Sequence, residues 1–80
     1  MNPTDKLKQA FHESIGVALD TDFATVKYGE TPNWDSVAHM GLVAEVERQF
    51  DVMMSTEDVI DMSSFSKAQE ILSQRHGVSF

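Results

Sequence analysis

Apolar residues recur at helical spacing in four stretches, separated by segments rich in turn formers. In the first, Leu7, Ala10, Phe11 and Ile15 lie three or four apart, with Lys6, Lys8, Gln9 and Glu13 between them. Asn2 as a cap, Pro3 at the first helical position and Asp5 in the first turn mark its start. Gly16 supplies a left-handed stop, although Val17, Ala18 and Leu19 stay apolar and would let the pattern run on to Leu19. The second helix is predicted from Ser36 to about Phe50, with Asp35 as its N-cap. Ser55-Thr56-Glu57-Asp58 has the form of a capping box and opens a short third helix, with Val59, Ile60 and Met62 for apolar contact. Ser64 caps a fourth, with Phe65, Ala68, Ile71 and Leu72 on one face. Gly77 ends it, and Val78-Ser79-Phe80 reads as a loose tail.

The segment Asp20 to Asn33 is long for a connection in so small a chain. Asp20, Asp22, Gly29, Pro32 and Asn33 are turn formers, while Phe23, Val26 and Tyr28 should pack it onto the helices. A loop of this length is expected to be functional or to hold a short helical turn. Asp20-Thr21-Asp22 has the start of a calcium loop but lacks the later ligands and glycine, so no metal site is expected. There is no repeat, low-complexity tract or convincing strand. The reading is all-α: residues 1–80 form one domain, a small four-helix bundle with a long first loop and a short third helix.

The second helix carries two apolar stripes. At about 100° per residue from Ser36, Leu42, Val46 and Phe50 cluster near about 280°, with Val43 and His39 beside them. Val37, Met40 and Ala44 fall near about 40–100°, on a different side. Gly41 leaves that second side flat, at a cost of up to about 1 kcal/mol relative to alanine. A helix in a small bundle needs one buried face, so the second stripe is either extra core or a docking patch. Glu47 and Arg48 border it and would orient a partner by charge.

Composition narrows the partners. The net charge is −7, which repels nucleic-acid phosphates and anionic lipid and suits basic protein surfaces. Asp51, Glu57, Asp58 and Asp61 crowd the short third helix, where like charges should repel. No apolar run is long enough to span a bilayer, and the charged N-terminal residues lack a signal-peptide core, so a cytoplasmic, membrane-free monomer is expected. With no cysteine, any thiol chemistry must come from an attached group.

Ser36 is the serine with the most chemical promise. It follows a cap, lies where first-turn amides and the helix dipole favour an anion, and has Trp34 and Val37 as apolar flanks. With Asp35 and His39 it contains the residue types of a hydrolase triad. However, Asp35 is better used as a cap, and no Gly-x-Ser-x-Gly elbow is present. A chain this short also has little wall for a water-excluding pocket. His39 reads first as a packed histidine bonded to the backbone of the loop before Trp34, and second as a contact for a group on Ser36. Met40, Met53, Met54 and Met62 read as adaptable filler.

Asp35-Ser36-Val37 resembles the Asp-Ser-Leu motif of acyl carrier proteins. Leu42-Val43, Val46-Glu47 and Phe50 continue the pattern of that family's second helix, and Ile15-Gly16-Val17 is similar to the Leu-Gly-Val closing its first. Phe50-Asp51-Val52-Met53-Met54-Ser55 is similar to its Phe-x-Ile-x-Ile-Pro connector, with Ser55 in place of proline. Ser63-Ser64-Phe65 resembles the Thr-Thr-Val opening its last helix, so the likeness covers residues 5–75. Trp34-Asp35-Ser36 with His39-Met40 looks like the Trp-Asp-Ser-x-x-His-Met variant of free-standing carriers.

The resemblance implies that a phosphopantetheinyl transferase attaches 4′-phosphopantetheine from coenzyme A to Ser36. The arm's thiol would then carry acyl groups as thioesters between acyl-loading and acyl-transferring enzymes, and the chain itself would catalyse nothing. Neutral Ala38 and Gly41 depart from the acidic residues usual early in that helix. A polyketide, peptide or lipid-modifying pathway is therefore as good an expectation as fatty-acid synthesis. An aminoacyl or peptidyl carrier of the same fold, an unmodified acidic adaptor and a small hydrolase are the alternatives.

Overall fold

The computed structural model describes residues 2–80. Helix α1 spans Pro3–Ile15, α2 Ser36–Phe50, α3 Thr56–Asp61 and α4 Phe65–Arg75, with a single 3-10 turn at Phe23–Thr25. Among the described residues there is no strand, and the chain is an all-α, small helical bundle. Each helix starts where a side chain can accept an orphan amide. Asn2 accepts from the Asp5 amide, Asp35 from Ala38, Ser55 from Asp58 and Ser64 from Lys67. The capping box of α3 is complete, because the Asp58 carboxylate also accepts from the Ser55 amide.

Helix α1 stops at Ile15 rather than continuing to Leu19. Gly16 adopts φ 74°, its amide donates to the His12 carbonyl, and Leu19 is half exposed. At the other end of the chain the tail is less loose than its sequence suggests. The Val78 amide donates to the Leu72 carbonyl, Val78 packs on the core, and the Phe80 ring sits 6.2 Å from that of Phe50.

One hydrophobic cluster holds the bundle. Leu7, Ala10, Phe11 and Ile15 of α1 meet Leu42, Val43 and Val46 of α2 and Phe65, Ala68, Ile71 and Leu72 of α4. Burying each large side chain is worth roughly 1.5–3 kcal/mol. The long loop joins this core through Val17, Phe23, Val26 and Trp34. It is also stitched to the start of α4, where the Tyr28 amide donates to Ser63 and the Phe65 amide donates to Val26. Aromatic rings run in contact through the molecule: Tyr28 to Trp34 (5.7 Å), Trp34 to Phe11 (5.3 Å), Phe11 to Phe65 (5.1 Å) and Phe65 to Phe23 (4.7 Å). The first three of these pairs are edge-on and the last is tilted, and aromatic pairs of this kind add to the burial term.

Helix α3 is held differently. Met62 is buried and Val59 packs partly, but Ile60, expected to supply apolar contact, is 74% exposed. The crowded acids are also not left to repel. Arg75 donates to Asp58 at 2.8 Å and to Asp61 at 3.1 Å, and His76 Nε2 lies 2.8 Å from Asp58. Asp58 is 3% exposed. Burial pushes its carboxyl up, but the bonds from Arg75, His76 and the Ser55 amide outweigh it and hold it well below the usual carboxylate range.

Candidate functional site

The start of α2 is set by the residues before it. Asn33 takes a left-handed turn at φ 69°, and Asp35 is extended. The Asp35 side chain accepts from the Ala38 amide at 2.8 Å, and its carbonyl accepts from the His39 amide at 2.8 Å. Ser36 and Val37 therefore precede the first bonded amide of the helix, leaving their own N–H groups directed outward. Ser36 is exposed, and no hydrogen bond among the described residues engages its hydroxyl. A free hydroxyl at a positive helix end suits an attached phosphate.

Trp34 does not flank Ser36 with apolar surface as expected. It is 3% exposed and belongs to the core. Its indole Nε1–H donates to His39 Nδ1 at 3.0 Å. Because Nδ1 accepts, the proton of the neutral ring sits on Nε2, which donates to the Val59 carbonyl at 2.8 Å. His39 is thus a packed, satisfied histidine, but its partners are the Trp34 side chain and α3 rather than the loop backbone. Both ring nitrogens are committed away from Ser36, and the Asp35 carboxylate is spent on the cap. The three do not form a relay.

The outer stripe of α2 is surface. Val37 is 81% exposed, Met40 is 57% exposed, and Gly41 and Ala44 are exposed too. The inner stripe, Leu42, Val43 and Val46, is buried. The two charged residues expected to border the patch are partly occupied. Glu47 accepts from the Met54 amide at 2.8 Å and so pins the connector after α2. Arg48 pairs with Glu45 of its own helix and lies 3.8 Å from Glu13 of α1. Met54 and Met62 fill the core as expected, but Met40 and Met53 do not: both are exposed, as is Ile60, because they fall on the outer sides of their segments.

Beside His39 lies a pocket of about 210 Å³, lined by Tyr28, His39, Val59, Ile60, Met62 and Ser63. A groove of about 250 Å³ elsewhere, beside Asp5, Lys8, Gln9 and Leu19, includes no residue of α2. The first pocket is the one tied to Ser36, through the single helical turn that separates it from His39. Nothing in the sequence marks it, since its walls come from the loop, α2 and α3. Asp22, part of the weak calcium pattern, caps the 3-10 turn by accepting from the Ala24 amide.

The chain matches no family model, no curated protein and no solved structure among those compared.

Proposed function

We propose that this chain is a carrier protein, with Ser36 as the attachment point for 4′-phosphopantetheine. One observation carries the reading: an exposed, unengaged serine hydroxyl opens a capped helix whose outer stripe, Val37 and Met40, also faces solvent. Such a hydroxyl is accessible to a modifying enzyme, and the apolar strip beside it gives that enzyme something to cover. In this reading the bundle is an acyl-carrier-like fold.

In the loading step, Ser36 Oγ forms a bond to the phosphorus that bears the pantetheine of coenzyme A. The P–O bond to adenosine 3′,5′-bisphosphate breaks and that group leaves. The proton from Oγ goes to the transferase, because both nitrogens of His39 are already committed. When attached, the group supplies the thiol that this cysteine-free chain lacks and carries cargo as a thioester. The chain's own part is to present Ser36, keep its helix end capped, and offer Val37, Met40 and Ala44 to successive enzymes. Its net charge of −7 favours partners with basic rims.

An acyl cargo is favoured over a charged aminoacyl one, because the pocket beside His39 is walled by Val59, Ile60, Met62 and aromatic rings. The hydrolase reading lacks a base for Ser36. The adaptor reading is separated by intact mass after incubation with coenzyme A, magnesium and a promiscuous phosphopantetheinyl transferase. The wild type should gain one phosphopantetheine, and Ser36→Ala should gain none. A modified alanine variant would move the site, and a wild type that no competent transferase modifies would end the carrier reading.

A further inference from the structure

We propose that His39 is a proton-sensitive latch that holds α3 against the start of α2 over the adjoining pocket: neutral, it closes the latch, and protonated, it releases it. The geometry is a relay of two hydrogen bonds. Trp34 Nε1–H donates to Nδ1, and Nε2–H donates to the Val59 carbonyl near the end of α3. The indole and imidazole planes are within 22° of each other, with centroids 5.9 Å apart.

Imidazole is the side chain that changes charge within about pH 5–8. On protonation Nδ1 becomes a donor and meets the Trp34 donor head on. Trp34 is 3% exposed, so its N–H has no water to turn to. The ring can relieve the clash only by leaving, and in leaving it gives up Val59.

The surroundings do not hold an imidazolium in place. From the loop, the Tyr28 ring meets His39 at 5.5 Å, nearly edge-on. From α3 and the residues after it come the Val59 carbonyl, Ile60, Met62 and Ser63. The nearby acids are engaged elsewhere: Asp35 on the Ala38 amide, Asp58 and Asp61 on Arg75. Glu57, in the first turn of α3, is exposed. No carboxylate hydrogen-bonds the ring among the described residues.

The acidic side of α3, Asp58 and Asp61, responds in the opposite sense. His76 Nε2 faces the Asp58 carboxylate, and a protonated His76 still donates there. Acidification therefore frees the Val59 carbonyl while Arg75 keeps hold of Asp58 and Asp61, and His76 of Asp58. The result is a roll of α3 about its Arg75-bound side that opens the pocket lined by Tyr28, Val59 and Ile60. This latch is a property of the chain and does not depend on what Ser36 carries.

The test uses the whole chain, unmodified. Imidazole nitrogen shifts should show neutral His39 with its proton on Nε2. Amide exchange of residues 56–61, corrected for intrinsic rate, should rise by about tenfold or more between about pH 8 and about pH 5, while that of α4 changes little. His39→Gln, which cannot titrate, should abolish the rise, whereas His12→Gln should keep it. A proton on Nδ1 of the neutral ring overturns the proposal. So does an acid-induced opening that persists in His39→Gln or that spreads equally to α4. If His39→Gln does not fold, the wild-type proton position and the α3-selective exchange decide the matter alone. Failure of Ser36 to accept phosphopantetheine leaves all these readouts unchanged, so the two proposals fail separately.

Discussion

Helices α2 and α3 are neighbours built on different physics. Helix α2 is long, and its inner stripe of Leu42, Val43 and Val46 is packed into the common core. Helix α3 has six residues, fewer than an isolated helix needs to persist, and its one fully buried side chain is the charged Asp58. The first is held by apolar burial and the second by hydrogen bonds to Ser55, Arg75, His76 and His39. The contrast explains why α2 can leave its whole outer face to solvent while α3 depends on polar partners at both ends.

The sharpest way to break that contrast is on the inner stripe. Val46→Asp places an unpaired carboxylate at a position with no exposure and should cost more than about 4 kcal/mol. For a domain of this size that approaches the whole stability, so circular dichroism should show an unfolded chain. A folded Val46→Asp protein would mean that α2 is not held by its buried face.

Next comes the polar anchor of α3. Asp58→Asn keeps the shape but removes the charge facing Arg75 and His76, and should cost about 2 kcal/mol by denaturant titration. The Asp58 carboxyl is lowered from an ordinary value of 3.8. Its contribution is therefore fully present above that value and disappears as pH falls through the depressed one. The wild type should lose stability on the acid side, and Asp58→Asn should have a flatter acid limb. Equal acid limbs would assign the loss to other carboxylates.

Gly41 gives a smaller effect, with the opposite sign. It sits in mid-helix, and an added Cβ there would meet nothing within 4 Å. Gly41→Ala should raise stability by about 0.5–1 kcal/mol. If loading of Ser36 slows at the same time, the glycine serves the approach of a partner rather than the fold.

The smallest change in stability is expected on the outer stripe. Val37→Asp and Ala44→Glu should shift it by less than about 0.5 kcal/mol, since both positions are exposed. They should nevertheless sharply slow modification of Ser36 in a transferase assay. Melting like that of Val46→Asp would make the outer stripe core after all, and loading at the wild-type rate would place that enzyme's contact elsewhere.

What was legible in the sequence was local. Caps such as Asn2, Asp35, Ser55 and Ser64 act within three residues of themselves, so composition and spacing reveal them. The split between the two faces of α2 followed from helical periodicity alone. The illegible features join distant segments. His39 reaches Val59, Arg75 reaches Asp58, and Glu47 crosses the turn to the Met54 amide. Trp34 misled because its apolar bulk was placed beside Ser36, whereas its N–H had found an acceptor inside. Ile60 misled because periodicity in so short a helix cannot choose between faces. The pocket beside His39 has no motif at all, being a gap among separately folded pieces.

The long loop has one further consequence, for engineering. Val17, Phe23, Val26 and Trp34 are all seated in the core, so what looks like a single tether is a series of short spans with fixed ends. Added residues would dislodge an anchor in most of these spans. The exposed turn around Gly29 and Glu30 lies between anchors, and it is closed by amides bonding back to the Lys27 carbonyl. That tip is the natural place to graft an epitope or open a new pair of chain ends, because lengthening there leaves the seated rings where they are.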